Sequence, residues 1–389
     1  MNFALDEYKE RLEKVKASMK ERGFETIVVS DPSNMHWLTG YDGWSFYVHQ
    51  GLVVSLSLKE PIWWGRGMDG NGAKLTTCLS DDSIRPYQDD YVQNPLKHPM
   101  SFVAQILRDN GLEKTVVACE QDNYWYTAKC QDTLTKELGQ APLDATGLVN
   151  WRRIIKSEAE IDFLKKAAVV CRGVMDAAID NIRPGKMERA AAAEVYKACL
   201  NGQNGVSGDH PAIFPIMPTN QRTTCAHLGW DPNREYENGD LVLLELCGVH
   251  QRYHCPLSRT VFLGQPPEKL RHVEKAVLDG VEKVLSFIKP GVLAEEVEAR
   301  WREATAPYGV VKPSRLGYSI GASYVPDWGE RTISLRPGDK TVLAPNMALH
   351  IMPGIWEDDL GFESSEPILV TQNGCQPLMD YPRGIITPK

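Results

Sequence analysis

"LVLLELCGVHQRYHCPLSRTVF", residues 241–262, sets two apolar runs of β character on either side of a short polar turn. That pattern predicts a hairpin. Each run holds a position from which a carboxylate would point into a cleft. The first position is Glu245, and the second is Pro256, which can ligate nothing. An acid inside "LVLLEL" is rarely buried without a partner. Two readings compete: a strand-end Glu paired with an arginine such as Arg259, or a carboxylate aimed into a pocket. The apolar surroundings favour the pocket, where such a group could attack an electrophilic carbon or activate water.

Outward from the hairpin the pattern alternates helices and strands. Ser157 and Glu160 form a capping box ahead of a helix whose apolar face runs Ile161, Leu164, Ala168, Cys171, Met175, Ala178 and Ile182, with Pro184-Gly185 as its stop. A second long amphipathic helix is expected from about Pro267 to Ile288, and a third from near Leu293. With "KTVLAPNMALHIMPGIW" and "SEPILVTQNG" as strands, this half is predicted to carry a large, mainly antiparallel sheet. Residues 25–145 read as a mixed-sheet α/β region, with "DPSNMHWLTGY" as a turn-rich loop. The boundary is placed between 1–150 and 151–389, and the whole is α+β.

Bulk properties predict a soluble cytoplasmic protein. The chain has 389 residues and a net charge of −8, which disfavours nucleic acid as a partner. No run is long enough for a membrane span, and the start is a charged amphipathic helix pattern with no secretory signal. Nine scattered cysteines without a CxxC predict reduced thiols, with Cys255 read as a small strand residue.

The ordered set "SDPSNMHWLTGY", "VNWRRIIKSEAEIDFLKKAA", "IKPG", "GYSIG", "PNMALHIMPGIW" and "EPILVTQNG" resembles the pita-bread superfamily of methionine aminopeptidases, prolidases and creatinase. The resemblance covers essentially the whole chain. It implies a creatinase-like first domain followed by a pita-bread catalytic domain. The superfamily's peptidases hold two metal ions on two Asp, one His and two Glu. Those positions fall here on Glu245, Pro256, Tyr318, Met352 and Ser365. A dinuclear site needs several carboxylates and usually an imidazole, so a metal-free, cofactor-free pocket is expected.

His227, in "TTCAHLGW", matches the superfamily's catalytic His, and its residue type suits acid/base work. A lone His would otherwise be read as a satisfied core or surface residue. Without metals to polarise a neutral carbonyl, the electrophile should carry its own charge, as an amidinium does. Creatinase manages this with creatine, but this chain has Ser258 and Glu245 where creatinase has Glu and Asn. Within the superfamily the layout is similar to the ectoine hydrolases. That similarity implies attack by Glu245 on a cyclic amidinium, help from His227, and ring opening to N-acetyl-2,4-diaminobutyrate, which a deacetylase could consume. Expected substrate contacts are Arg331 for the carboxylate, Tyr318 and Glu363 in the pocket, and Tyr47 and His49 from the neighbouring subunit of a homodimer. Trp328 and Trp356 are as readily packing residues. The alternatives are hydrolysis of another amidine or guanidine such as creatine, and an inactive binding module.

Overall fold

The computed structural model describes residues 2–388. The chain forms two compact units, residues 1–153 and 154–389. The sequence boundary lay three residues earlier. Among the described residues no helix is long and apolar enough to cross a membrane.

In the first unit six strands form one sheet. They are β1 (Thr26–Val29), β2 (Gly51–Ser55), β3 (Ile62–Arg66), β4 (Ile84–Tyr87), β5 (Val117–Cys119) and β6 (Leu143–Asp144), in the order β4-β3-β2-β1-β5-β6. The sheet is mixed: β1 runs antiparallel to β2 and parallel to β5. The stretch expected as a loop after β1 is instead a helix, Pro32–Thr39. Asp31 caps it by accepting from Ser33 N–H at 2.8 Å, Pro32 fills the first turn, and Gly40 ends it at φ 82°. All three signals stand in the sequence.

The second unit is built around the hairpin of β7 (Leu241–His250) and β8 (Tyr253–Phe262), which pair over all ten residues. Gln251 and Arg252 form its turn, both at positive φ, which matches the right-handed twist of the flanking strands. β9 (Gly317–Ile320), β10 (Gly329–Ser334), β11 (Ala348–Ile351), β14 (Glu366–Val370) and β15 (Cys375–Pro377) form a separate antiparallel sheet, ordered β10-β9-β11-β14-β15. β12 (Ile355–Trp356) and β13 (Gly361–Phe362) pair apart. The expected single large sheet is therefore divided. The hairpin touches the five-stranded sheet through a Tyr253–Ala322 bridge and through Ser365 N–H donating to Ser258 O at 3.1 Å.

Strand alternation fixes what each hairpin face does. Val242, Leu244, Leu246 and Leu257 point to the capped helix Glu158–Asn181 and bury there with Val170, Cys171 and Val174. Gly248 lies on that same face. A Cβ there would come within 2.1 Å of Cys171 N, so the hairpin can lie this close to the helix only with glycine. The odd-numbered residues Leu243, Glu245 and Cys247 consequently face the other way, and Glu245 looks into the unit's interior. The helices expected over 267–288 and from 293 are Glu268–Phe287 and Ala294–Thr305.

Candidate active site

Glu245 is tied down at its backbone by mutual hydrogen bonds with Ile216, at 3.0 and 3.2 Å. Its carboxyl is 5% exposed and accepts no hydrogen bond among the described residues. It opens on a cavity of about 920 Å³, also lined by His227, Lys312, Arg315, Tyr318 and Asp327. Arg259, the alternative partner, sits on the helix face of the hairpin opposite Leu244. Its guanidinium pairs with Glu366 at 2.9 Å. The salt-bridge reading of Glu245 is thereby set aside.

The charges around Glu245 are concentrated. Burial, and then the neighbouring Glu363, hold the Glu245 carboxyl well above the usual carboxylate range. Glu363 is fully buried, and neither of its oxygens completes a hydrogen bond among the described residues. Burial pushes it up to about 7, against the pull of Lys312 and Ser258. Its backbone is fixed by Thr260, whose Oγ1 accepts from Glu363 N–H at 3.0 Å and donates to Glu363 O at 2.9 Å.

Beside them runs a hydrogen-bonded relay. Trp328 Nε1–H donates to Tyr318 OH at 2.7 Å. Tyr318 OH lies 3.0 Å from His350 Nδ1, and His350 Nε2 lies 2.7 Å from Ser365 Oγ. Ser365 Oγ also accepts from Ser258 N–H at 2.7 Å. Burial takes His350 down to about 3, so its ring is neutral. With the indole donating to it, the Tyr318 hydroxyl gives its proton to His350 Nδ1, and Nε2–H then donates to Ser365. His350 has a place in this site that sequence reasoning missed. Its signal is register: on β11 it pairs directly with Tyr318 of β9.

The five positions that carry metal in the superfamily's peptidases do not fit a dinuclear centre here. Tyr318 and Ser365 are committed to His350. Met352 offers a weak thioether and Pro256 nothing, and a buried ammonium, Lys312, stands by the one remaining carboxylate.

His227 sits on an exposed loop whose base is held by Thr223, which donates to Asn220 O and accepts from Gly361 N–H. Arg222 closes the loop onto Gly229 O at 3.1 Å. The structure thus brings His227, Glu245 and Tyr318 to one cavity, with Glu363 buried behind it. It does not bring Arg331 there. Arg331 lies exposed at φ 57° in β10, inside the stretch where pairing with β9 is irregular, and does not line the cavity. The half-buried arginine that does is Arg315. Its guanidinium stacks 4.3 Å from the Tyr318 ring centroid and forms no ion pair among the described residues. Arg302 also lines the cavity but is held by Glu298 at 2.8 Å.

Tyr47 and His49 belong to the first unit and flank a smaller hollow of about 150 Å³. Tyr47 is exposed, and its OH accepts from Arg66 at 2.7 Å. His49 turns inward: its Nδ1 lies 3.3 Å from Trp125 O, and its ring lies against His98 and Cys130. These three carry metal-binding atoms, yet His98 Nδ1 accepts from Met100 N–H at 3.2 Å, which puts the proton on Nε2 and leaves no lone pair for an ion. All nine cysteines are free, and Cys255 is buried in the hairpin core.

Comparison with known proteins places this architecture. Residues 162–372 match metallopeptidase family M24, and residues 11–155 match the creatinase/prolidase N-terminal domain. The chain belongs to family M24, as an α+β pita-bread protein with a creatinase-type first domain. It is 45% identical to ectoine hydrolase of Halomonas elongata, over 98% of this chain and 97% of that one. It is 38% identical to the uncharacterised hydrolase/peptidase y4tM of Sinorhizobium fredii, over 99% and 98%. Among solved structures, the prolidase of Thermococcus sibiricus superposes with a TM-score of 0.82 at 21% identity, covering 98% of this chain and 99% of that one. Dipeptidase PepE of Mycobacterium ulcerans gives 0.81 at 22%, covering 99% of each chain. At such identities these two show the fold alone.

Proposed function

We propose that this protein is a hydrolase that opens the ring of ectoine, a cyclic amidinium bearing a carboxylate, to N-acetyl-2,4-diaminobutyrate. The observation that carries the reading is Glu245: a buried carboxyl with no hydrogen bond among the described residues, facing a cavity where the superfamily's metal positions carry side chains such as Tyr318 and Met352. A carboxylate alone cannot polarise a neutral amide, but an amidinium carbon is already electrophilic. Full-length similarity to a named ectoine hydrolase supports that choice of amidinium.

Glu245 attacks the amidinium carbon, forming a C–O bond and neutralising both charges at a buried position. His227 protonates the ring nitrogen as its bond to that carbon breaks, then takes a proton from the water that adds to the same carbon, and the Glu245 O–C bond breaks to release the amide product and the free carboxylate. Tyr318, locked by Trp328 and His350, shapes the wall. The reading includes a homodimer in which Tyr47 and His49 of one subunit help close the cavity of the other, and a cytoplasmic location.

The test follows ring opening by proton NMR with ectoine, and with creatine in parallel, before and after exhaustive EDTA treatment. Ectoine should be consumed at an unchanged rate after chelation. Turnover lost with EDTA and restored by a divalent metal would overturn the metal-independent site. Turnover of creatine alone would replace the substrate, and none of either would point to a binding module.

Arg315 is assigned the substrate carboxylate in place of Arg331. Arg315→Ala should raise KM roughly 10- to 100-fold, the worth of a charge-assisted hydrogen bond, with a smaller effect on kcat. Arg315→Lys should recover little, since a point ammonium cannot reproduce the planar fork. Arg331→Ala measured beside it should leave KM near wild type, and a large rise there with none at Arg315 would reverse the assignment.

A further inference from the structure

Lys312 lies in the loop before β9 and is 6% exposed. Its ammonium donates to Ser314 Oγ at 2.8 Å and Gly354 O at 3.2 Å, and stands 5.0 Å from the Trp356 ring centroid. That leaves one of its three N–H groups uncommitted. Among the described residues no carboxylate makes an ion pair with it, yet it lines the same cavity as Glu245, and Glu363 is held by Thr260, which lies on the Glu245 face of the hairpin two residues from Ser258, the residue opposite Glu245. A buried ammonium is poorly tolerated unless a nearby anion answers it. Two buried carboxylates close together are equally poorly tolerated unless a cation answers them.

We infer that Lys312 is the resident counter-charge of this cavity, standing in for the metal charge of the superfamily's peptidases and holding Glu245 and Glu363 as a pair that shares one proton. One ammonium then balances one carboxylate, and the second acid stays neutral until a cationic substrate arrives. An amidinium supplies the second positive charge, the shared proton leaves to solvent, and Glu245 becomes free to attack. A neutral amide brings no such charge, so the same balance discriminates against peptides.

The remaining charges facing this group are consistent with that account. Arg315 opposes the ammonium, while Asp327 opposes ionisation of Glu245. Arg259 reinforces ionisation of Glu363, and neutral His350 adds no charge. Burial lowers Lys312 to about 8 against the two carboxylates, so it is still largely protonated at neutral pH.

Only the substrate-triggered step rests on the ectoine reading, and the resting proton count can be measured without substrate. Infrared spectra of the unliganded protein at pH 7 should show one buried carboxylic-acid C=O band from this pair. Either Glu245→Gln or Glu363→Gln should remove it, because the remaining acid then pairs with Lys312. Lys312→Met should instead gain a second acid band. Should Lys312→Met fail to fold, the two glutamine variants decide alone. A band that persists in both, or an unchanged spectrum in folded Lys312→Met, overturns the inference. With substrate, the acid limb of kcat should move up by about one pH unit or more in Lys312→Met and down in Glu363→Gln. A Lys312→Met variant with raised KM and an unmoved limb would make Lys312 a substrate contact, overturning its counter-charge role.

Discussion

Glu245→Gln is expected still to bind ectoine, more weakly because one of the two carboxyls facing the amidinium is gone, and to lose turnover by a factor on the order of 1,000 or more, as groups that act as a unit in catalysis do. The amide keeps the shape of the side chain and its place on β7, between Ile216 and the cavity. It loses the oxygen that attacks. Because the carboxyl accepts no hydrogen bond among the described residues, the exchange strands no hydrogen-bond partner there, and stability should change little. The pH dependence of the wild type follows from the same group. Attack needs the ionised form, and burial with Glu363 raises its folded-state value well above the ordinary range. Activity should therefore fall on the acid side at a pH higher than an exposed glutamate would impose. Calorimetric binding of ectoine to Glu245→Gln, beside steady-state rates, is the measurement. A Gln variant with near-normal kcat would move the chemistry elsewhere, to Glu363 next.

The parts of this site that could be read from sequence are those in which chemistry shows along one strand or at a helix end. Glu245 stands out because a charge interrupts an apolar alternation. The capping box at Ser157 is a local signature, and the structure forms it in full. The helix Pro32–Thr39 was equally marked by Asp31, Pro32 and Gly40, but eight residues rich in turn formers suggested a loop. Lys312 and Arg315 were not legible in that way. Both lie in "VVKPSR", an irregular stretch with no period, and only folding sets them against a strand far away in the chain. Arg331, in "WGERT", is the arginine the sequence offers for the substrate carboxylate, and nothing in the sequence points to Arg315. In the structure Arg331 has a left-handed backbone at an irregularity in strand pairing, which no residue type announces here, and it does not line the cavity.

The same limit explains the relay. Tyr318, Met352 and Ser365 could each be recognised as replacing a ligand, yet what replaced the metals' structural role could not. His350 sits in the centre of the sheet, with Tyr318 opposite on β9 and Ser365 reached from the other side, just ahead of β14. A neutral imidazole with both nitrogens engaged holds two former ligand positions in fixed orientation without a net charge. With Tyr318 and Ser365 at two of these positions, the cavity wall is organised by hydrogen bonds through His350.

If Glu245 is the nucleophile, His227→Ala should stall the enzyme after attack. Formation of the C–O bond needs only the carboxylate and the amidinium carbon, whereas release needs a water stripped of its proton. His227 is the group at the cavity suited to that step, carried on a loop held by Thr223 and Arg222 instead of by the hairpin itself. Deleting the imidazole should therefore slow release more than attack, with kcat down roughly 100- to 10,000-fold, the range of general acid–base contributions. An intermediate then accumulates. Intact-protein mass spectrometry of His227→Ala, quenched with acid seconds after mixing with ectoine, should show an added mass equal to the substrate. Peptide mapping should place it on Glu245, and the Glu245→Gln/His227→Ala double variant should show none. An adduct in the single variant that vanishes in the double variant fixes the order of events as attack, then water. No adduct at any quench time, with turnover still slow, would make Glu245 the base that activates water directly. The substrate assignment would stand in that case, and the covalent route would not.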